Sequence, residues 1–262
     1  MRETVAVFRT PRPYIRRVPV DRAWVWLTAG WRDLVAVPGP ALVCGFAPVA
    51  AGWLAGSLLA WFDMPYLLLP LGAGFFFVGP FLAVGLYEIS RRRERNLAID
   101  LETTLTAWRR NPEQIALMGV LLLLFHLAWM RFAQLLFALF EWRVMPSWDR
   151  FADLVWFSSK SLPFMVVGVL SGAVLAALAF AIGAFSIPYL LDRRESNLFE
   201  AIATSVTAVR FNLRPMALWA SLIVILIAIG MLPGLTGLVL MLPLVGFSTW
   251  HAYRDVVHFQ DD

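Results

Sequence analysis

The apolar residues of this chain gather into six long runs: Ala41–Phe62, Pro65–Ile89, Ile115–Phe140, Leu162–Leu191, Met216–Leu232 and Leu235–Tyr253. An α-helix rises about 1.5 Å per residue, so crossing a hydrocarbon core about 30 Å thick takes about 20 residues. Each run has that length or comes close, and each predicts a membrane-spanning helix. The tight connections Asp63-Met64 and Pro233-Gly234 predict hairpins of the first two and last two spans. The connection 141–161 is long and polar, and its Trp142, Trp148 and Trp156 suit a membrane interface.

A shorter periodicity precedes the spans. Leu97, Leu101, Leu105 and Trp108 fall at helical spacing, and Leu198, Ile202, Val206 and Val209 repeat the pattern. Such stripes are too short to cross a bilayer and predict amphipathic helices lying in the interface. Both belong to an internal repeat. Residues 92–119 and 193–220 align at a constant offset of 101, without a gap, and are identical at 12 of 28 positions. Shared apolar bias cannot produce the polar identities, which include Arg92/Arg193, Arg93/Arg194, Glu94/Glu195, Asn96/Asn197, Arg109/Arg210 and Asn111/Asn212. Asn96 and Asn197 suit N-caps, and Pro112 and Pro215 suit the first turn of the next span. A more degenerate copy opens the chain, with Trp24, Leu27, Trp31 and Leu34 as its stripe and Pro38 and Pro40 before its span.

The expected fold is an all-α membrane protein with six transmembrane helices and short cytoplasmic amphipathic helices. It is built from two clear two-span repeats and a third, weaker one, at about 23–90, 92–192 and 193–258. Each unit crosses twice, so the copies share one orientation, related by pseudo-rotation about the membrane normal.

Composition agrees. Hydrophobic residues make up 60% and charged residues 15%, against about 25% charged in soluble domains; the mean hydropathy is +0.71. Of 22 basic residues, 18 fall on one face of the expected topology, and only Arg131, Arg143, Arg150 and Lys160 on the other. The positive-inside rule then places both termini in the cytoplasm and 141–161 in the periplasm of a bacterial inner membrane. Residues 1–22, with Arg2, Arg9, Arg12, Arg16, Arg17 and Arg22 broken by prolines, lack a signal-peptide pattern and read as a cytoplasmic arm. Its expected partner is anionic headgroups rather than nucleic acid.

Candidate chemistry is sparse. Cys44 is the lone cysteine, and the histidines are His126, His251 and His258. His126 lies inside the third span with Arg131 after it. An ionisable group in a membrane is a functional candidate, although a histidine can serve a neighbouring carbonyl and an arginine can snorkel outward. The even spans end in Tyr87-Glu88, Tyr189 to Asp192, and Tyr253-Arg254-Asp255. These ends read as interfacial anchors or as a three-fold polar cluster at the cytoplasmic mouth. Ser171 and His251 differ in expected depth by roughly 10 Å, too far for a nucleophile and base, which need to approach to about 3 Å. There is no phosphate loop, HExxH or Gly-x-Ser-x-Gly. No catalytic, cofactor or metal residue is expected.

Four stretches carry a resemblance: GWRD (Gly30–Asp33), GPFLAVGLYEISRRRER (Gly79–Arg95), AWRRNP (Ala107–Pro112) and WHAYRD (Trp250–Asp255). From about Trp24 to His258 the chain resembles a bacterial family of predicted integral membrane proteins, a domain of unknown function. The resemblance implies no activity and no site residues. Some members carry the label of cytochrome c oxidase subunit, but a catalytic subunit binding haems and copper needs roughly six histidine ligands, and this chain has three histidines. The expectation is a non-enzymatic accessory, assembly or scaffold component of a membrane complex, respiratory if those labels hold. The alternative is a small-solute or lipid transporter, which should have a water-accessible cavity near the midplane lined by polar side chains that include His126, whereas a scaffold should be dry there.

Overall fold

A computed structural model describes residues 13–64, 67–140 and 161–259. Arg2, Arg9 and Arg12 of the arm, and residues 141–160 with Trp142, Trp148, Trp156, Arg143, Arg150 and Lys160, lie outside the described residues.

Helix follows the apolar runs closely. Helix α1 is Arg22–Ala36, and α2 (Pro38–Trp61) starts on a proline whose missing N–H costs nothing in a first turn. The second run divides into α3 (Leu68–Leu82) and α4 (Val84–Glu94). A short α5 (Leu101–Leu105) and a 3-10 turn (Ala107–Arg110) lead into α6 (Pro112–Leu139). The fourth run divides into α7 (Ser161–Gly183) and α8 (Ser186–Asp192). Its break falls at Ala184 and Phe185, where Pro188 has no N–H to return to the Ala184 carbonyl. Then come α9 (Leu198–Phe211), α10 (Leu213–Met231) and α11 (Leu238–Val256).

Four stretches are long and apolar enough to cross a bilayer: Pro38–Trp61, Pro112–Leu139, Leu162–Asp192 and Leu213–Met231. Between 6% and 28% of their apolar windows is buried. Helices this apolar on their outer surface would be unstable in water and are solvated by lipid. The chain is an all-α integral membrane protein. The second and sixth runs differ: α3 has 15 residues, and α11 is drawn into the protein.

Helix α11 is the hub, packing on α1, α2, α4 and α10. Gly30 of α1 abuts Ser248, and Gly45 of α2 abuts the Val239 carbonyl, so closely that neither site has room for a Cβ. Around this hub each amphipathic helix packs on the helix before it in a cyclic order: α1 on α11, α5 on α4, and α9 on α7 and α8. The arm is more ordered than a loose lipid contact. Strand β1 (Tyr14–Ile15) pairs antiparallel with β2 (Val257–His258), so residues near both ends lie side by side.

The amphipathic helices bring two corrections. Asn96 is not an N-cap: it takes a left-handed backbone (φ 52) just beyond α4, a conformation asparagine tolerates. The cap of α5 is Asp100, whose side chain accepts from the Thr103 amide at 2.7 Å, a bond that holds its carboxyl below the usual range. Asn197 does cap α9, accepting from the Glu200 amide at 3.0 Å. The apolar stripes also face differently. Leu97, Leu101, Leu105 and Trp108 are all exposed, as are Trp24 and Trp31, whereas Trp26 is buried against Trp219. Leu198 and Ile202 are half-buried against the core.

Candidate functional site

Where α1, α4, α8 and α11 end, five carboxylates meet a surplus of arginines. Glu88 of α4 is buried and accepts two bonds from Arg91, at 2.6 and 2.7 Å, in a bidentate fork, and one from Arg92 at 2.9 Å. Arg110 stands 3.8 Å from the same carboxylate and donates to the Leu191 carbonyl at 2.9 Å. Asp192, the last residue of α8, takes Arg95 at 2.7 Å, the Tyr253 hydroxyl at 3.2 Å, and Arg254 at 3.6 Å. Arg254 also reaches Glu94 at 3.0 Å, where the Trp250 indole donates at 3.1 Å. Asp255 is held by Arg16, by Arg22 at 2.7 Å and by the Trp26 indole at 2.9 Å.

The fifth carboxylate, Asp33 of α1, bonds Ser90, Arg93 and His251, the last at 2.9 Å. Burial alone would push its carboxyl up. The hydrogen bonds from His251 and Ser90 and the charges of His251 and Arg93 outweigh that and hold it below the usual range. Arg110 goes the other way, pushed down to about 10 by burial and then by neighbouring Arg91. Eight arginines serve these five carboxylates, so the end of the bundle keeps an excess of positive charge.

The three span-end acids Glu88, Asp192 and Asp255 are therefore held in one neighbourhood by shared elements: Arg110 touches Glu88 and the end of α8, and α11 supplies Tyr253, Arg254 and Asp255. The repeat-equivalent residues do not repeat their bonds. Arg92 and Glu94 are engaged in the cluster, whereas Arg193 lies over the Phe259 ring at 3.7 Å and Arg194 and Glu195 are exposed. Arg109 lies over Trp108 at 5.6 Å, while Arg210 has no ion-pair partner among the described residues.

His126 and Arg131 stay outside this cluster. His126 Nδ1 is buried without a hydrogen-bond partner among the described residues, and Arg131 donates to Gln134 at 3.3 Å. Ser171 donates to the Val167 carbonyl at 2.6 Å, whereas His251 is engaged with Asp33.

A chamber of about 1300 Å³ lies among α3, α6, α7, α10 and α11, along the seam where α7 and α10 stand apart. Small residues of α7 (Gly172, Ala173, Ala177) and of α10 (Ala217, Ala220) line it, and His126 does not. Its lining is overwhelmingly apolar, with Arg210 at the α9–α10 corner as its charged side chain.

The family comparison covers most of the carboxylate cluster and part of the chamber lining. Residues 68–192 match the family described as predicted integral membrane protein (DUF2189). No curated protein and no solved structure matches the chain. The DUF2189 stretch runs from α3 to the end of α8, so it carries Glu88, Arg91–Arg95, Arg110 and Asp192, whose contacts include Tyr253 and Arg254 beyond it. The similarity of this stretch to an integral membrane family agrees with the four lipid-length helices.

Beyond the DUF2189 stretch lie the site residues that reading along the chain did not single out, chiefly Asp33 and His251. Their one signal was place: Asp33 sits in GWRD and His251 in WHAYRD, both among the stretches that carry the resemblance.

Proposed function

We propose that this protein is a non-enzymatic accessory or scaffold component of a bacterial inner-membrane complex. Its six spans form three two-span units with both termini in the cytoplasm. The cyclic packing of α1, α5 and α9, each on the preceding helical pair, supports the three-unit reading. The pairing of β1 with β2 supports termini on one side, and the positive-inside rule supports the cytoplasmic side. The exposed stripe of Leu97, Leu101, Leu105 and Trp108 supports an interfacial seat for α5. The arginine excess supports anionic lipid as a partner at that face.

The observation that carries the scaffold reading is the cross-linking of all three units by ion pairs. Arg93 to Asp33 joins the second unit to the first, Arg254 to Glu94 and Asp192 joins the third to the second, and His251 to Asp33 joins the third to the first. Alternating access needs one repeat to move against another, and part-buried charge pairs spanning every boundary oppose that. Carriage of a polar solute also lacks support, because the chamber is apolar and His126 is not in it. The apolar chamber favours lipid as the ligand of the alternative, transporter reading.

The test is affinity capture of the tagged protein from native membranes, followed by a native gel and mass spectrometry. Co-migration with a defined set of membrane subunits is the expected result, and respiratory oxidase subunits among them would identify the complex. Recovery of the protein alone, with substrate-dependent uptake into proteoliposomes, would overturn the reading.

A further inference from the structure

The chamber poses a physical problem that the scaffold reading leaves untouched. Its about 1300 Å³ of apolar space is half-open along the seam, with exposed lining residues such as Val169 and Val224, and is filled by what the membrane offers. Water does not wet such a lining. The volume also exceeds the about 300–1,000 Å³ of a pocket for a drug-sized ligand. The occupant must therefore be apolar, large and available in the membrane.

One corner of the chamber is different. Arg210 lines the chamber and also a second, polar pocket of about 370 Å³ shared with Arg17, Thr207 and Phe211. Arg17 comes from the arm, held there by Val18 and Asn212 at 2.9 Å and by its own stacking over Phe211 at 5.7 Å. In the other repeat copy, Arg109 rests on the ring of Trp108; here the equivalent of that tryptophan is Val209, and Arg210 is left without a ring or a carboxylate among the described residues. Two guanidiniums at the mouth of an apolar chamber match one chemistry, a phosphate-bearing head on acyl chains.

We infer that the seam between α7 and α10 holds an anionic phospholipid, its acyl chains in the chamber and its phosphate between Arg17 and Arg210. The site lies apart from the ion-pair cluster and stands whether or not the protein is a scaffold.

The experiment is native mass spectrometry of the full-length protein in detergent, titrated separately with phosphatidylglycerol, with phosphatidylcholine of the same chains, and with inorganic phosphate. Phosphatidylglycerol should bind at one saturable site and more tightly than phosphatidylcholine. Arg17→Ala or Arg210→Ala should each weaken it about fivefold, and the pair roughly 30-fold, with little change for phosphatidylcholine. Both arginines are exposed, so these variants should keep the wild-type melting temperature. Ala177→Trp, which fills the chamber from an exposed position on α7, should weaken both lipids. Equal binding of the two lipids, indifference to the double arginine variant, or saturable binding of phosphate as tight as that of phosphatidylglycerol would overturn the inference. A lipid-free oligomer, with a helix of a second copy or of another subunit filling the seam, would overturn it as well.

Discussion

Asn111 and Asn212, equivalent at the 101-residue offset, do the same work: each donates its side-chain amide at 3.0 Å to a carbonyl outside its own helix, Asn111 to Ser196 and Asn212 to Arg16. The first bond pins the segment that leads into α9, and the second pins the arm that leads into α1. Identity at a polar position thus acts here through a shared bond. Both asparagines are buried. Replacing either with alanine would leave a buried carbonyl short of a partner, at a cost of about 1–3 kcal/mol. Thermal unfolding in detergent should show both Asn111→Ala and Asn212→Ala melting below the wild type. An unchanged melting point in either would mean that its bond contributes nothing.

Asp192 and Glu195 make a contrast within one turn of chain. The Asp192 side chain is 1% exposed and serves Arg95, Arg254 and Tyr253, whereas Glu195 is exposed. Removing Asp192 leaves the buried Tyr253 hydroxyl without its acceptor, at a cost of about 1–3 kcal/mol, while Arg95 is half-exposed and Arg254 keeps Glu94. A surface substitution is usually worth less than about 0.5 kcal/mol. Asp192→Ala should therefore unfold the protein at markedly lower temperature or denaturant, and Glu195→Ala should match the wild type. Equal behaviour of the two variants would remove the structural role given to Asp192.

How much of this was legible along the chain depends on the range of the interaction. Helix positions and the hairpin turns were legible because they follow from local apolar length and turn residues. Asp63, Gly234 and Leu235 all adopt left-handed backbones at the expected turns. The span-end acids were legible as candidates, because a carboxylate beside arginines at a helix end is a local pattern. The pairing of Asp33 with His251 was not, because 218 residues separate them and nothing local links a GWRD helix to the end of α11. Nor was the facing of α1: its tryptophans alternate between lipid and core, so Trp24 and Trp31 are exposed while Trp26 is buried. The chamber had no signal at all, since a gap between α7 and α10 is a property of packing. The extended predicted spans at Pro65–Ile89 and Leu162–Leu191 run through breaks at Ala83 and at Ala184-Phe185, where the apolar run itself continues on both sides.

Acid should weaken the cluster through Asp33 in a defined window. Its folded carboxyl titrates below the unfolded value of about 3.9. The stabilisation is therefore fully present above about pH 4 and is lost as the pH falls through the lowered folded value. Melting curves of the wild type and of Asp33→Asn should differ clearly at about pH 5, where an ordinary imidazole is protonated, and converge as the pH falls below about 4. A difference that vanished already between pH 7 and 5 would place the controlling titration on another group.

The histidine inside α6 should prove dispensable. Its Nδ1 is buried without a partner among the described residues, and the side chain lines neither the cluster nor the chamber. Substituting an apolar group for an unsatisfied polar one is neutral or stabilising. His126→Leu should thus leave expression, melting temperature and capture of partners unchanged. A variant that folded normally yet lost its partners or a measured transport activity would give His126 a functional role.

The six-span topology makes the sharpest demand, because among the described residues four stretches meet the criterion of length and apolarity on their own. Of the others, α3 falls short by length, with 15 residues, and α11 carries a polar end that belongs to the ion-pair cluster. If they cross, every amphipathic helix lies on one side. Reporter fusions after Asn111 and after Asn212 should then both report the cytoplasm, and a fusion near Ser147 the periplasm. If only the four long stretches cross, α2 and α6 are successive spans, and so are the Leu162–Asp192 stretch and α10. The chain between Asn111 and Asn212 still crosses twice under either scheme, so those two fusions alone do not separate them. A fusion at Asp21 decides: six spans put it on the same side as Asn111, four spans put it on the opposite side.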